Sequence, residues 1–222
     1  MRNKFDMELK KLHDDLVLMG TFIDTTIAKT MSAFKTNDYA LAREVYENDD
    51  IADELEIKVE RRSLRILLSQ QPVARDLRTI STALKMVTDM ERICDQAKNI
   101  AEIVLRFEGK ELVKMPDNVL LMSEKCVAMV NKSIEAFINS DMALAKHVMA
   151  LDDEVDAYFH TIHDNVASLI TQDPDCVLQA IDFVMMAKYL ERISDHAVNI
   201  AEWVVFNITG EHKDKVLIWP IL

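Results

Sequence analysis

The chain states one long helical motif twice. "ERICDQAKNIAE", Glu91 to Glu102, returns as "ERISDHAVNIAE", Glu191 to Glu202, with nine of the twelve residues unchanged. The copying extends upstream. "AFKTNDYALAREVYENDDIAD" (Ala33 to Asp53) reappears 103 residues later as "AFINSDMALAKHVMALDDEVD" (Ala136 to Asp156), and the proline of "QQP" (Pro72) reappears in "QDP" (Pro174). At the Glu-Arg-Ile motif the offset has shrunk to 100, so the halves differ by a few loop residues. A chain duplicated this way must fold as two like units, 1–110 and 111–222, joined near residues 108–116.

Each unit reads as three helices. The chain has only three Gly and four Pro but thirteen Met, and half of its residues are hydrophobic. That composition favours a few long helices and a buried core. The first helix is expected from about Phe5 to Phe34, with Leu9, Leu12, Leu16, Met19, Ile23, Ile27 and Met31 on one face. The second follows an N-cap at Asn37 or Asp38 and runs to about Leu68. The third runs from about Val73 to Phe107, and Pro116 and Asp117 open the second round. Helices of about 30 residues span about 45 Å, so the expected fold is all-α: two elongated three-helix bundles, six helices in all.

Charge narrows the function. Lys plus Arg total 26 against 38 Asp plus Glu, a formal charge of −12, which disfavours nucleic acid. No sequential basic run exceeds Arg61-Arg62. Three cysteines without metal-like spacing (Cys94, Cys126, Cys176) read as free thiols in a cytoplasmic protein. No stretch is apolar enough to span a bilayer, and "VLIWPIL" at Val216–Leu222 reads as a packing segment, with peripheral membrane contact as the other option. Walker, dinucleotide and nucleophile-elbow signatures are missing.

The repeated polar residues are the candidate site. At about 100° per residue, Glu91, Asp95, Asn99 and Glu102 form one stripe, with Ile93, Ala97, Ile100 and Val104 roughly opposite. Glu191, Asp195, Asn199 and Glu202 repeat it. The second helix carries Asp49, Asp53, Glu56 and Glu60. In the second half Asp152 and Asp156 take the first two places, with His160 and His163 below them. Like charges at i,i+4 destabilise a helix by a few tenths of a kcal/mol, so stacked acids suit a bound cation. Oxygen donors with an occasional His fit Mg²⁺, Mn²⁺ or Fe, and two facing stripes supply enough oxygens for a multinuclear site. The bland alternative is a solvated acidic face paired by Arg92 and Arg192. Met185 and Met186 read as core, His13, His147 and His212 as surface, Cys94 (Ser194 in the other copy) as a small packing residue, and His196 as directed away from the stripe.

The doubled motif, with "QQPVARDLRTI" and "DDIAD"/"DDEVD", resembles the PhoU family, and the resemblance covers essentially the whole chain. It implies two pseudo-twofold bundles with metal clusters on their surfaces. Carried over by position, the ligands are Asp49, Asp53, Glu91, Asp95, Asp152, Asp156, Glu191 and Asp195. The flanking members are Glu60, Asn99, Glu102, His163, Asn199 and Glu202. Fe, Mn, Mg and Zn are all compatible ions. The resemblance further implies a non-enzymatic regulator of phosphate homeostasis, an adaptor between the ATPase subunit of an ABC phosphate transporter and a phosphate-sensing histidine kinase, acting as a repressor when phosphate is plentiful. A homodimer is expected from the long helical faces. The alternatives are a metal-dependent carboxylate-bundle enzyme, a metal store, or a scaffold that meets no metal. Di-iron bundles use Glu-x-x-His pairs projecting inward; the pairs here are acidic, at i,i+4, and away from the apolar face.

Overall fold

The computed structural model describes residues 2–114 and 116–211, and every described element is helical. The helices are α1 (Arg2–Thr36), α2 (Tyr39–Glu47), α3 (Asp50–Gln70), α4 (Ala74–Arg106), α5 (Asp117–Asn139), α6 (Met142–Gln172) and α7 (Val177–Thr209), with one 3-10 turn at Pro174–Cys176. The boundaries follow local chemistry. Asp38 accepts the Leu41 amide at 3.0 Å, and its copy Asp141 accepts those of Ala143 and Leu144 at 2.9 and 3.0 Å. The preceding residues, Asn37 and Ser140, both hold positive φ (53° and 50°), so the whole turn is duplicated, cap included. Gly109 and Gly210, at φ 73° and 80°, follow α4 and α7.

One expected helix is broken. The second helix of the first half divides at Asn48 and Asp49 into α2 and α3, whereas its copy α6 runs without interruption. Ile51 donates to Asn48 at 3.2 Å and Ala52 to Asp49 at 2.8 Å, three-residue spacings that tighten the backbone there. The apolar register passes through unbroken, since Ala42, Val45, Ala52 and Val59 are all buried.

α1, α2, α3 and α4 pack together, as do α5, α6 and α7. Leu12, Leu16, Met19, Ile23 and Ile27 fill the first core as expected, while Leu9 and Met31 lie at its margin. Met186 is buried, but Met185 is exposed, against the expectation of a core role. His212 and Val216–Leu222 lie outside the described residues.

The halves meet along α4 and α7, which run antiparallel. Three contacts fix the direction: Arg78 Nε donates to the Asn207 carbonyl at 3.0 Å, Asn199 Nδ2 to Asp89 at 3.0 Å, and Arg106 to Asp182 at 2.5 Å. Both helices have 33 residues, about 50 Å of rod. The hydrophobic core is continuous across this seam. α1 and α5 add a second crossing, where Gly20 leaves room for Ile134; a Cβ on Gly20 would sit 2.8 Å from its Cγ2. The connection after α4 docks on α7, because Gln179 donates to the Glu111 carbonyl at 2.8 Å and accepts the Val113 amide at 3.0 Å.

Candidate metal centres on the acidic seams

Packing of α3 on α4 brings the first acidic set together. Glu91 is buried, at 8% exposure, rather than on an open surface as the helix arithmetic implied. Its carboxyl is pushed up to about 7, first by burial and then by the charge of Asp95, with Glu56 and Asp53 adding to it and Arg92 opposing. Glu56 is raised as well, by burial and by Glu60, against a hydrogen bond from Thr88. Asp49, Glu91, Asp95 and Asp53 all bear on the buried Cys94, whose thiol is held protonated by burial and by those charges. Asp49, Asp53, Glu56, Glu60, Glu91 and Asp95 therefore share one electrostatic neighbourhood.

Cations from the chain itself already sit on this set. Lys98 Nζ lies 2.5 Å from Asp49 Oδ2, and 5.6 Å from the centre of the Tyr46 ring. Arg92 reaches Asp95 at 2.9 Å and Glu91 at 3.4 Å. Glu102 is exposed and pairs with Arg106 at 3.6 Å, while Asn99 is half-buried on α4.

The second set is supplied differently. Asp152 is pushed up to about 6 by burial and by Asp156, Asp195, Asp153 and Glu191. Asp195 is raised too, by burial and by Glu191. Asp152 Oδ1 is buried without a hydrogen-bond partner. The reason is legible in the alignment of the halves: the position of Lys98 is Val198, so the counter-ion of Asp49 has no copy. Among the described residues, Lys188 forms an ion pair on this set, 2.5 Å from Glu191, at the place of Thr88.

The flanking residues scatter. His163 is exposed and its Nδ1 lies 3.8 Å from Asp164, its own neighbour in sequence. Asn199 binds Asp89 of α4, as do His196 Nδ1 at 2.9 Å and Trp203 Nε1 at 3.2 Å. Glu202, half-buried, follows on the same helix. Asp89 escaped the sequence reading because it belongs to no repeat: Tyr189 stands in its place.

Among the described residues, no three His, Cys, Asp or Glu side chains are already gathered as a bound ion gathers its ligands. The donor chemistry nonetheless fits a hard cation. Each set crowds carboxylates until one of them resists ionisation, and the second leaves a buried oxygen unsatisfied. No helix of the described residues is long and apolar enough to cross a membrane.

A family model described as the PhoU domain matches residues 16–104 and 119–204, one copy per half. A relative from Clostridium acetobutylicum, named a phosphate-specific transport system accessory protein PhoU homolog, is 33% identical over 96% of this chain and 98% of its own. One of the same name from Aquifex aeolicus is 36% identical over 85% of this chain and 86% of its own. The crystal structure of PhoU from Pseudomonas aeruginosa superposes with a TM-score of 0.90 at 31% identity, covering 93% of this chain and all of that one. The regulatory protein PhoU from Streptococcus pneumoniae has a TM-score of 0.87 at 23% identity, covering 95% and 99%, and adds support for the fold.

Proposed function

The chain belongs to the PhoU family, and on that footing we propose that it is a non-enzymatic regulator of phosphate uptake. In this reading it acts as a cytoplasmic adaptor between an ABC phosphate transporter, through the ATPase subunit, and a phosphate-sensing histidine kinase. It represses the starvation response while phosphate is plentiful. The observation that carries the reading is the full-length match of both repeats to relatives named for phosphate transport. Deleting the gene should derepress alkaline phosphatase in high-phosphate medium, and repression that survives the deletion would sink the proposal.

We propose further that the acidic seams hold divalent or ferric ions. Asp49, Asp53, Glu91 and Asp95 would serve in the first half, with Glu60, Asn99 and Glu102 beside them. In the second half Asp152, Asp156, Glu191 and Asp195 would serve, with His163, Asn199 and Glu202 as outlying members. An ion supplies positive charge that relieves the crowding of carboxylates. The chain's own residues set the order of filling. Lys98 competes for Asp49, whereas Val198 offers Asp152 no such rival. The second half should therefore take up metal first, and Lys98→Val should raise the affinity of the first. Elemental analysis beside a Glu91→Ala/Asp95→Ala/Glu191→Ala/Asp195→Ala variant tests the assignment. Equal metal content in the two proteins would end it.

A further inference from the structure

Two pseudo-equivalent corners close the helical hairpins of the two halves, and they have diverged in charge. From Lys58 to Arg78 the α3–α4 corner carries six basic residues (Lys58, Arg61, Arg62, Arg65, Arg75, Arg78) against Glu60 and Asp76. From Thr161 to Ala187 the α6–α7 corner carries no Lys or Arg and four Asp (Asp164, Asp173, Asp175, Asp182). Because α4 and α7 are antiparallel, these corners stand at opposite ends of a rod about 50 Å long. A protein of net charge −12 thus has one end that is locally basic. Along the chain the cluster is interrupted, since Gln70, Gln71 and Pro72 separate the arginines of α3 from Arg75 and Arg78 of α4.

Part of that charge is used within the fold. Lys58 and Arg62 bind Asp15 of α1 at 2.9 and 2.5 Å, and Arg78 binds the end of α7. Arg61, Arg65 and Arg75 are exposed and form no ion pair among the described residues. Interleaved with them are apolar side chains that the fold leaves uncovered: Leu64, Leu68, Val73 and Leu77, at 52, 84, 74 and 45% exposure. Arg61, Leu64, Arg65 and Leu68 follow at spacings of three and four, so they share one face of α3.

We propose that this corner docks on an anionic lipid surface. Leu68 and Val73 flank the turn that closes the α3–α4 hairpin, at the end of the rod, where they can enter the headgroup region of a planar surface, and the arginines beside them complement its negative charge. Arginines around exposed leucines supply the two attractions that peripheral binding combines. The chain also leaves α7 at this end. Gly210, which caps α7, abuts the Arg78 guanidinium there. The inference stands apart from the regulatory reading, because bare vesicles contain neither transporter nor kinase.

The test is sedimentation of the full chain with vesicles of phosphatidylcholine alone and of phosphatidylcholine mixed with phosphatidylglycerol. Binding is expected to the anionic vesicles only, weakening as salt is raised. Arg61→Gln/Arg65→Gln/Arg75→Gln should weaken it at least tenfold, given about fivefold per arginine. Leu68→Ser/Val73→Ser should also weaken it at least tenfold, with thermal midpoints unchanged because the replaced side chains are exposed. Leu178→Ser/Ile181→Ser, at the acidic corner, should leave binding as it was. Three outcomes would overturn the proposal. One is that the wild-type chain fails to bind anionic vesicles, whatever protein its basic corner captures. Another is an equal loss in the acidic-corner variant. The third is that the basic-corner variants alter only the oligomer mass, which would mark a contact between copies.

Discussion

Glu91 has a carboxylate's chemistry in a place that resists a carboxylate's charge. Its folded pKa, about 7, stands above the ordinary 4.5, with burial the first cause and Asp95 the second. A raised acid stabilises the fold fully below its unfolded value and loses that contribution as pH climbs through the folded one. Chelator-treated protein should therefore lose thermal stability between about pH 4.5 and 7, and Asp152, at about 6, should act in the same direction. Glu91→Gln should flatten that slope and raise the midpoint at pH 8, by roughly 2–4 °C per kcal/mol of repulsion removed. A midpoint at pH 8 that stays level or falls would mean that Arg92, 3.4 Å away, outweighs the crowding. In metal-loaded protein the substitution should lose its benefit, which separates the two states in one calorimeter.

Between helices the decisive detail is a missing atom. Gly20 lies mid-helix, where alanine would normally add about 1 kcal/mol. Its Cβ, however, would fall 2.8 Å from a methyl of the buried Ile134 on α5. Gly20→Ala should accordingly bring no stability in the wild-type chain and recover its helical gain in an Ile134→Ala background. A double-mutant cycle with no coupling between the two positions would refute the close crossing. The starts of α2 and α5 were readable beforehand, because Asp38 and Pro116 each open a helix by a local mechanism. The break at Asn48 was not, since Ala42, Val45, Ala52 and Val59 keep one apolar register through it. The acid pairs of the candidate site were readable as helix spacing, and their burial was not. Whether a stripe faces water or a neighbouring helix depends on packing that spacing alone does not contain.

At the scale of the whole molecule the two repeats share one core, so they should unfold together. Asp89 accepts from His196, Asn199 and Trp203 across the seam. Asp89→Ala should cost about 1–3 kcal/mol and lower a single transition rather than split it. Two separated heat-absorption peaks would show independent bundles. Comparison of the halves could not find Asp89, nor the gathering of Arg61, Arg65 and Arg75, because both arise where residues without a copy meet in space. The duplicated backbone could be turned end for end about its pseudo-twofold axis with little change in outline. A partner gripping both bundles at once would then have two ways to seat it, nearly equal in shape. Arginine at one corner and aspartate at the other abolish that equivalence, and give a symmetric object a single way round.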